Sequence, residues 1–287
     1  MRHQTLLVNA GLFLSCCVAL AGHSEERPRE SQWLPALSLG SGLITEKLSG
    51  SVTSSARPSA ADSTRALLPY VSLDGELMTP ALTLLPGRPR LFIHGGAGVA
   101  FDSDRRLALE GNPGPLVFPS ISGLTPIAAV KGQGSSTRSK LEPLLVTAGA
   151  GLSFEFSLWG RALRLKPSFE YFRQEMKITS LLSSAETLQP NGICPCRSVS
   201  LAATDKQVSH GIGPGLELEL DAARAGPVAL TLFVSTQAYR LLNGRTLHAH
   251  REGTWTTGQP ASVTGEARLA PWVYRAGVGL RLRWAPE

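Results

Sequence analysis

The segment Tyr274-Arg275-Ala276-Gly277-Val278-Gly279-Leu280-Arg281-Leu282-Arg283-Trp284 alternates strictly between two kinds of side chain. Tyr274, Ala276, Val278, Leu280, Leu282 and Trp284 are apolar, and the residues between them are glycine or arginine. An extended strand sends successive side chains to opposite faces, so this segment has one wholly apolar face and one polar face. A soluble sheet buries the apolar face inside the fold, whereas a sheet in lipid turns it outward and closes around the polar one. The rest of the chain decides between these uses.

Seven upstream segments repeat the pattern. Strands are predicted at about Trp33 to Leu48, Ala66 to Thr79, Arg90 to Phe101, Leu144 to Leu158, Ala162 to Ile178, Ser209 to Leu220 and Pro227 to Leu242, with the eighth at Leu269 to Trp284. The fourth is the cleanest of the seven, with Val146, Ala148, Ala150, Leu152, Phe154, Phe156 and Leu158 opposite Thr147, Gly149, Gly151, Ser153, Glu155 and Ser157. Long polar stretches follow the odd-numbered strands, at about Ser49 to Arg65, Asp102 to Glu142, Thr179 to Val208 and Asn243 to Arg268. Compact links follow strands two, four and six, at Pro80 to Pro89, Trp159 to Arg161 and Asp221 to Gly226. The two ends of the sheet therefore differ, as expected for an all-β, eight-stranded antiparallel transmembrane β-barrel with long extracellular loops and short periplasmic turns. A secreted sandwich or lipocalin-like barrel uses the same alternation, but the uniform apolar faces of strands four and eight and the length of the loops weigh against it.

On this layout and on the terminal YRAGVGLRLRW strand, the chain resembles the small eight-stranded outer-membrane β-barrel proteins of Gram-negative bacteria. The resemblance covers about Trp33 to Trp284 and is one of layout rather than of a sharp motif. It implies a place in the cell outer membrane, contact with outer-membrane lipid and lipopolysaccharide, insertion by the barrel assembly machinery and a monomeric state. Family members usually end on the aromatic residue itself, whereas Ala285, Pro286 and Glu287 follow Trp284 here.

Residues 1–21 read as a signal peptide, with Arg2 and His3 ahead of an apolar run ending at Ala19-Leu20-Ala21. Residues 22–32 are expected to be a periplasmic segment and 33–287 the barrel domain. Among 287 residues, 29 are glycine and only 6% aromatic, and the net charge of +6 is spread through loops and strand faces, which argues against nucleic acid as a partner. Two of the four cysteines fall in the signal peptide, and Cys194 and Cys196 read as a local disulfide or two free thiols. Their spacing is not that of a redox motif, and no metal or other cofactor is expected.

If the apolar faces meet lipid, the opposite faces fill the lumen. That set contains Glu46, Asp74, Glu76, Glu155, Glu170, Glu217 and Glu219 with Arg164, Lys166, Arg275, Arg281 and Arg283. Eight strands enclose only enough room for side chains, so these charges are expected to pair into a polar plug. A wide porin, with about 16 to 18 strands, is excluded. The favoured role is a non-catalytic barrel contributing to envelope integrity or surface interaction. A narrow channel for small solutes is the first alternative and a lipid-modifying outer-membrane enzyme the second. For the enzyme, His210 beside Ser209 is the most tempting pair, but adjacent strand residues point oppositely and Ile212 stands where lipid A deacylases carry a serine. His94 stands among glycines and is expected to make a lumen hydrogen bond. The Pro113 to Val130 loop is too apolar to be merely solvated, and His248, His250, Arg251 and Trp255 read as part of a solvated loop with weak anionic contacts.

Overall fold

The computed structural model describes residues 32–55, 57–101, 116–118, 128–130, 135–186 and 197–284. The expected signal peptide, the Cys194 and Cys196 pair and most of the Pro113 to Val130 loop lie outside the described residues. Eight strands form the barrel wall: β1 (Leu34–Ser54), β2 (Arg57–Ala81), β3 (Arg90–Ala100), β6 (Ser135–Leu158), β7 (Arg161–Glu186), β8 (Arg197–Ala225), β9 (Val228–Leu241) and β11 (Pro260–Trp284). Two short strands, β4 (Leu116–Phe118) and β5 (Ala128–Val130), pair only with each other. Each wall strand runs antiparallel to its neighbours, and β1 pairs with β11 from Ala36 opposite Arg283 to Ser54 opposite Val263, which closes the ring. Closure leaves the barrel wall without a free edge in its proximal part.

The alternation read from the sequence sets which way each residue points. Leu37, Leu39 and Leu43 of β1, Leu73 of β2, Ile93 of β3, Phe156 of β6, Leu216 of β8, Val234 of β9 and Val278 and Leu282 of β11 all face outward and exposed. Their neighbours Ser38, Ser72, Ser153, Glu219, Ser235 and Arg281 are buried in the interior. The outer surface is thus an apolar belt and the interior behind it is polar. Trp159 and Gly160 alone connect β6 to β7, both with positive φ (52° and 77°), the geometry whose twist matches an antiparallel hairpin. Trp33, Trp159 and Trp284 lie at this short-turn end and are exposed.

The strands run much further than expected at the other end. β8 has 29 residues, roughly 100 Å of extended chain, where about 9 to 11 residues cross an apolar band. Most of the supposed loop from Ser49 to Arg65 is a continuation of β1 and β2, which pair as far as Ser54 opposite Arg57. Much of the Asn243 to Arg268 stretch is a further strand, β10 (Thr246–Thr254), laddered to Pro260 through Arg268 of β11. Trp255, assigned to a solvated loop from the sequence, is 6% exposed and packs in the interior under the Arg197 guanidinium at 4.7 Å.

In this distal part the polarity of the two faces inverts while the direction of the alternation holds. Leu48, Val52, Met176, Ile178, Leu182, Val199, Leu247, Val263 and Leu269 point inward and form one buried apolar cluster. Lys47, Thr53, Lys206, Glu252 and Arg268 point outward and away from that cluster. A strand scan keyed to apolar-out residues stops where the polarity changes, although the strand does not. The proximal part is organised for an apolar surround and the distal part for water. A seam interrupts the distal wall between β10 and β8: β10 ladders only with β11, and the first half of β8 only with β7. Side chains bridge it, with the His248 N–H donating to Asp205 Oδ2 at 3.0 Å and the Ser198 N–H to Thr256 Oγ1 at 3.0 Å.

The inversion is testable by position. Leu39→Arg places a cation on the apolar belt and is expected to cost about 2–4 kcal/mol in denaturant-titrated folding into phosphatidylcholine vesicles. Thr53→Arg, on the same face but beyond the belt, is expected to cost less than about 0.5 kcal/mol. Equal losses at the two positions would contradict the assignment.

Candidate functional site: the charged lumen

Alternation in five strands delivers charges to one level of the interior. β7 supplies Arg164 and Lys166, β8 supplies Glu217, Glu219 and Asp221, β11 supplies Arg281 and Arg283, β2 supplies Glu76 and β6 supplies Glu155. Lys166 Nζ donates to Glu217 at 2.7 Å and also bonds Glu76, which belongs to a strand not adjacent to β7. Arg283 donates to Glu76 and to Glu219 at 2.9 Å each. Arg281 reaches Glu219 at 2.7 Å and Glu217 at 3.0 Å. Arg164 donates to Glu155 at 2.9 Å and to Asp221 Oδ2 at 3.0 Å, with Glu219 at 3.3 Å.

Four cations and five carboxylates therefore share one network, and Glu219, with no exposed surface, touches all four cations. Bonds of this kind are charge-assisted, and mutual pairing offsets the several kcal/mol that desolvating each ion costs. Aromatic faces complete the packing. The Phe92 ring lies 4.5 Å from Lys166 Nζ and the Phe233 ring 4.8 Å from the Arg281 guanidinium.

Above this layer is a second, less charged one. His94 Nε2 lies 3.0 Å from Glu170 Oε1, and Ser168 also donates to Glu170. Asp74 accepts from Ser72 at 2.9 Å. Arg275 meets no carboxylate at bonding distance among the described residues; it donates to Ser72 Oγ at 3.1 Å and lies 4.2 Å over the Tyr70 ring. Phe172 and Tyr239 stack at 4.8 Å, and beyond them the apolar cluster begins. The lumen-facing glycines are where neighbouring side chains pass. A Cβ at Gly149 would lie 2.4 Å from His94 Nε2, and one at Gly279 would lie 2.5 Å from the Phe233 ring. At Gly149 the His94 ring and the Glu170 carboxylate take the space a side chain would need, and at Gly279 the Phe233 ring does.

Of the residues assigned to the lumen from the sequence, Glu76, Glu155, Arg164, Lys166, Glu217, Glu219, Arg281 and Arg283 meet in the network. Asp74, Glu170 and Arg275 belong to the second layer. Glu46 stands apart, 4% exposed among apolar neighbours, with Oε1 accepting no hydrogen bond among the described residues. Asp221, which falls in a turn on the sequence reading, continues the alternation of Glu217 and Glu219 into the network. Tyr70, Phe92, Phe233 and Tyr239 also fill the lumen, and parity with Ser72, His94, Ser235 and Gln237 is the signal that marks them. The Ser209 and His210 pair is not assembled for catalysis. Ser209 Oγ points inward and donates to the Gly244 carbonyl at 2.6 Å, while His210 Nδ1 lies on the outer face 2.7 Å from the Tyr171 hydroxyl. No group of three or more metal-ligating side chains occurs among the described residues.

No family model matches the chain, and no curated protein does. Among solved structures it is similar to Ail, the attachment invasion locus protein of Yersinia pestis, with 9% identity, a TM-score of 0.27, and coverage of 84% of this chain and 97% of that one. It is also similar to a major outer membrane protein of Thermus thermophilus, at 13% identity and a TM-score of 0.32, over 85% of this chain and 99% of that one. The outer membrane protease OmpT of Escherichia coli gives 9% identity and a TM-score of 0.30, over 91% of this chain and 100% of that one. At such scores the likeness adds nothing to the strand ladders described above.

Glu219→Gln removes the carboxylate that four buried cations share and is expected to cost about 3–5 kcal/mol in urea unfolding from detergent micelles. Glu155→Gln, whose side chain is 38% exposed at the edge of the network, is expected to cost less than about 1 kcal/mol. Similar costs would show that Glu219 is not the centre of the network.

Proposed function

We propose that this protein is a non-catalytic barrel of the bacterial outer membrane, a closed scaffold that contributes to envelope integrity or surface interaction and acts as a monomer embedded in outer-membrane lipid. The observation that carries this reading is the stack of filled layers behind the apolar belt. Ions pair across the ring, rings occupy the spaces beside the glycines, and an apolar cluster lies beyond them. The exposed belt favours lipid as its surround, since an apolar surface of this extent on a monomer marks an interaction site. A closed ring is also the form in which strands cross a bilayer with every backbone group paired. The separation of Ser209 from His210 weighs against the enzyme reading.

The distal barrel, apolar inside and polar outside, is suited to stand in water beyond the bilayer and present its rim for contact. Protein refolded into planar bilayers is expected to give no conductance steps. Steps that disappear in Arg281→Ser and Arg283→Ser variants would instead support the narrow channel.

A further inference from the structure

We infer that a row of outward cations at the distal edge of the apolar belt binds the phosphates of anionic lipid headgroups, holding the barrel at a set depth. The inference rests on the membrane reading above and adds its partner chemistry. The row crosses six consecutive wall strands. Arg65 of β2 is the ladder partner of Lys47 of β1. Lys47 lies in the irregularity of the β1 and β11 ladder between Glu46 and Leu48, where Trp272 stands one residue beyond the Val273 partner of Glu46. Trp272 of β11 is the partner of Arg240 of β9. The N–H of Leu242, two residues along from Arg240, donates to the carbonyl of His210 of β8 at 2.8 Å, and His210 is the partner of Arg173 of β7.

Two features point to an anion that the chain itself does not supply. First, like charges directly opposite on one face of a sheet repel. Lys47 and Arg65 are nevertheless cross-strand partners. No carboxylate lies within ion-pair distance of Lys47, Arg65, Arg173 or Arg240 among the described residues; the nearby Glu175 instead pairs with Lys206 at 3.1 Å. Second, Arg65, Lys47 and Arg173 follow the end of the apolar surface on their own strands. Outward Leu67 is 47% exposed two residues from Arg65, Leu43 is four from Lys47, and Tyr171 is two from Arg173. Trp272 and Tyr274, stacked at 6.4 Å, stand beside the row on β11. Rings with apolar bodies and polar tips followed by cations are suited to the boundary between acyl chains and headgroups. A headgroup phosphate there has both the charge and the position to bridge Lys47 with Arg65.

The test uses the full-length protein folded into phosphatidylcholine nanodiscs with and without lipid A. Lipid A retention is read by native mass spectrometry, and the unfolding midpoint by heating. The wild-type barrel is expected to retain lipid A, and a quadruple Lys47→Gln, Arg65→Gln, Arg173→Gln, Arg240→Gln variant to bind it at least about tenfold less tightly. The variant is expected to keep its unfolding midpoint in phosphatidylcholine alone, and Lys47→Arg to retain binding. Equal retention by wild type and variant overturns the inference. So does displacement of lipid A by inorganic tripolyphosphate at equal concentration, which would identify a soluble polyanion as the ligand. Failure of the wild-type protein to enter phosphatidylcholine at all would count against the membrane reading itself.

Discussion

A ring of eight strands encloses only enough room for side chains, and the contact of Glu219 with Arg164, Lys166, Arg281 and Arg283 compensates the charges buried together at its proximal level. Strands that share no ladder are joined through it. Glu76 of β2 meets Lys166 of β7 across the interior and Arg283 of β11 past the intervening β1. The network therefore adds cross-ties to a wall otherwise held by neighbouring hydrogen bonds. It also keeps charged side chains inside, so that the outer surface at the same level can remain apolar. The belt and the plug are two consequences of one alternation.

The second organising fact is the change of polarity along the long strands. Inward side chains pass from ions, through Arg275, Tyr70 and the Phe172 and Tyr239 stack, to leucine, isoleucine and valine. Outward side chains pass in the opposite sense, from leucine and valine through aromatic rings to lysine and arginine. The surround changes from apolar to aqueous, and the face that must be dehydrated changes with it. The cation row that includes Lys47, Arg65, Arg173 and Arg240 marks the level of that change on the outer face.

Much of the barrel was legible in the sequence because a strand's period of two is a local property. Tyr274 through Trp284 shows its two faces without reference to any partner, and the short link at Trp159 and Gly160 marks an antiparallel hairpin. The distal extensions were not legible in the same way. In β1 the outward series runs Leu37, Leu39, Leu43 and then Lys47, while the inward series runs Ser38, Gly40 and then Ile44, Leu48. A reading that follows apolar-out residues ends there, although the backbone ladder continues to Ser54. β10 and buried Trp255 were hidden for the same reason, since polar outward residues such as His248 and His250 resemble those of a loop.

The sequence by itself determined that the chain forms two-faced strands with long and short connections, and which charges share the interior face, because side-chain direction follows from position along a strand. Only the tertiary structure decided which charges pair. Lys166 and Glu76 are 90 positions apart, and their contact depends on ring closure and on the relative stagger of the strands between them. Arg275 belongs to the same terminal alternation as Arg281 and Arg283, yet it lies against Tyr70 and Ser72 rather than a carboxylate. The alignment of Arg65, Lys47, Trp272, Arg240, His210 and Arg173 across the outer wall likewise exists only once β11 has joined β1 to β9.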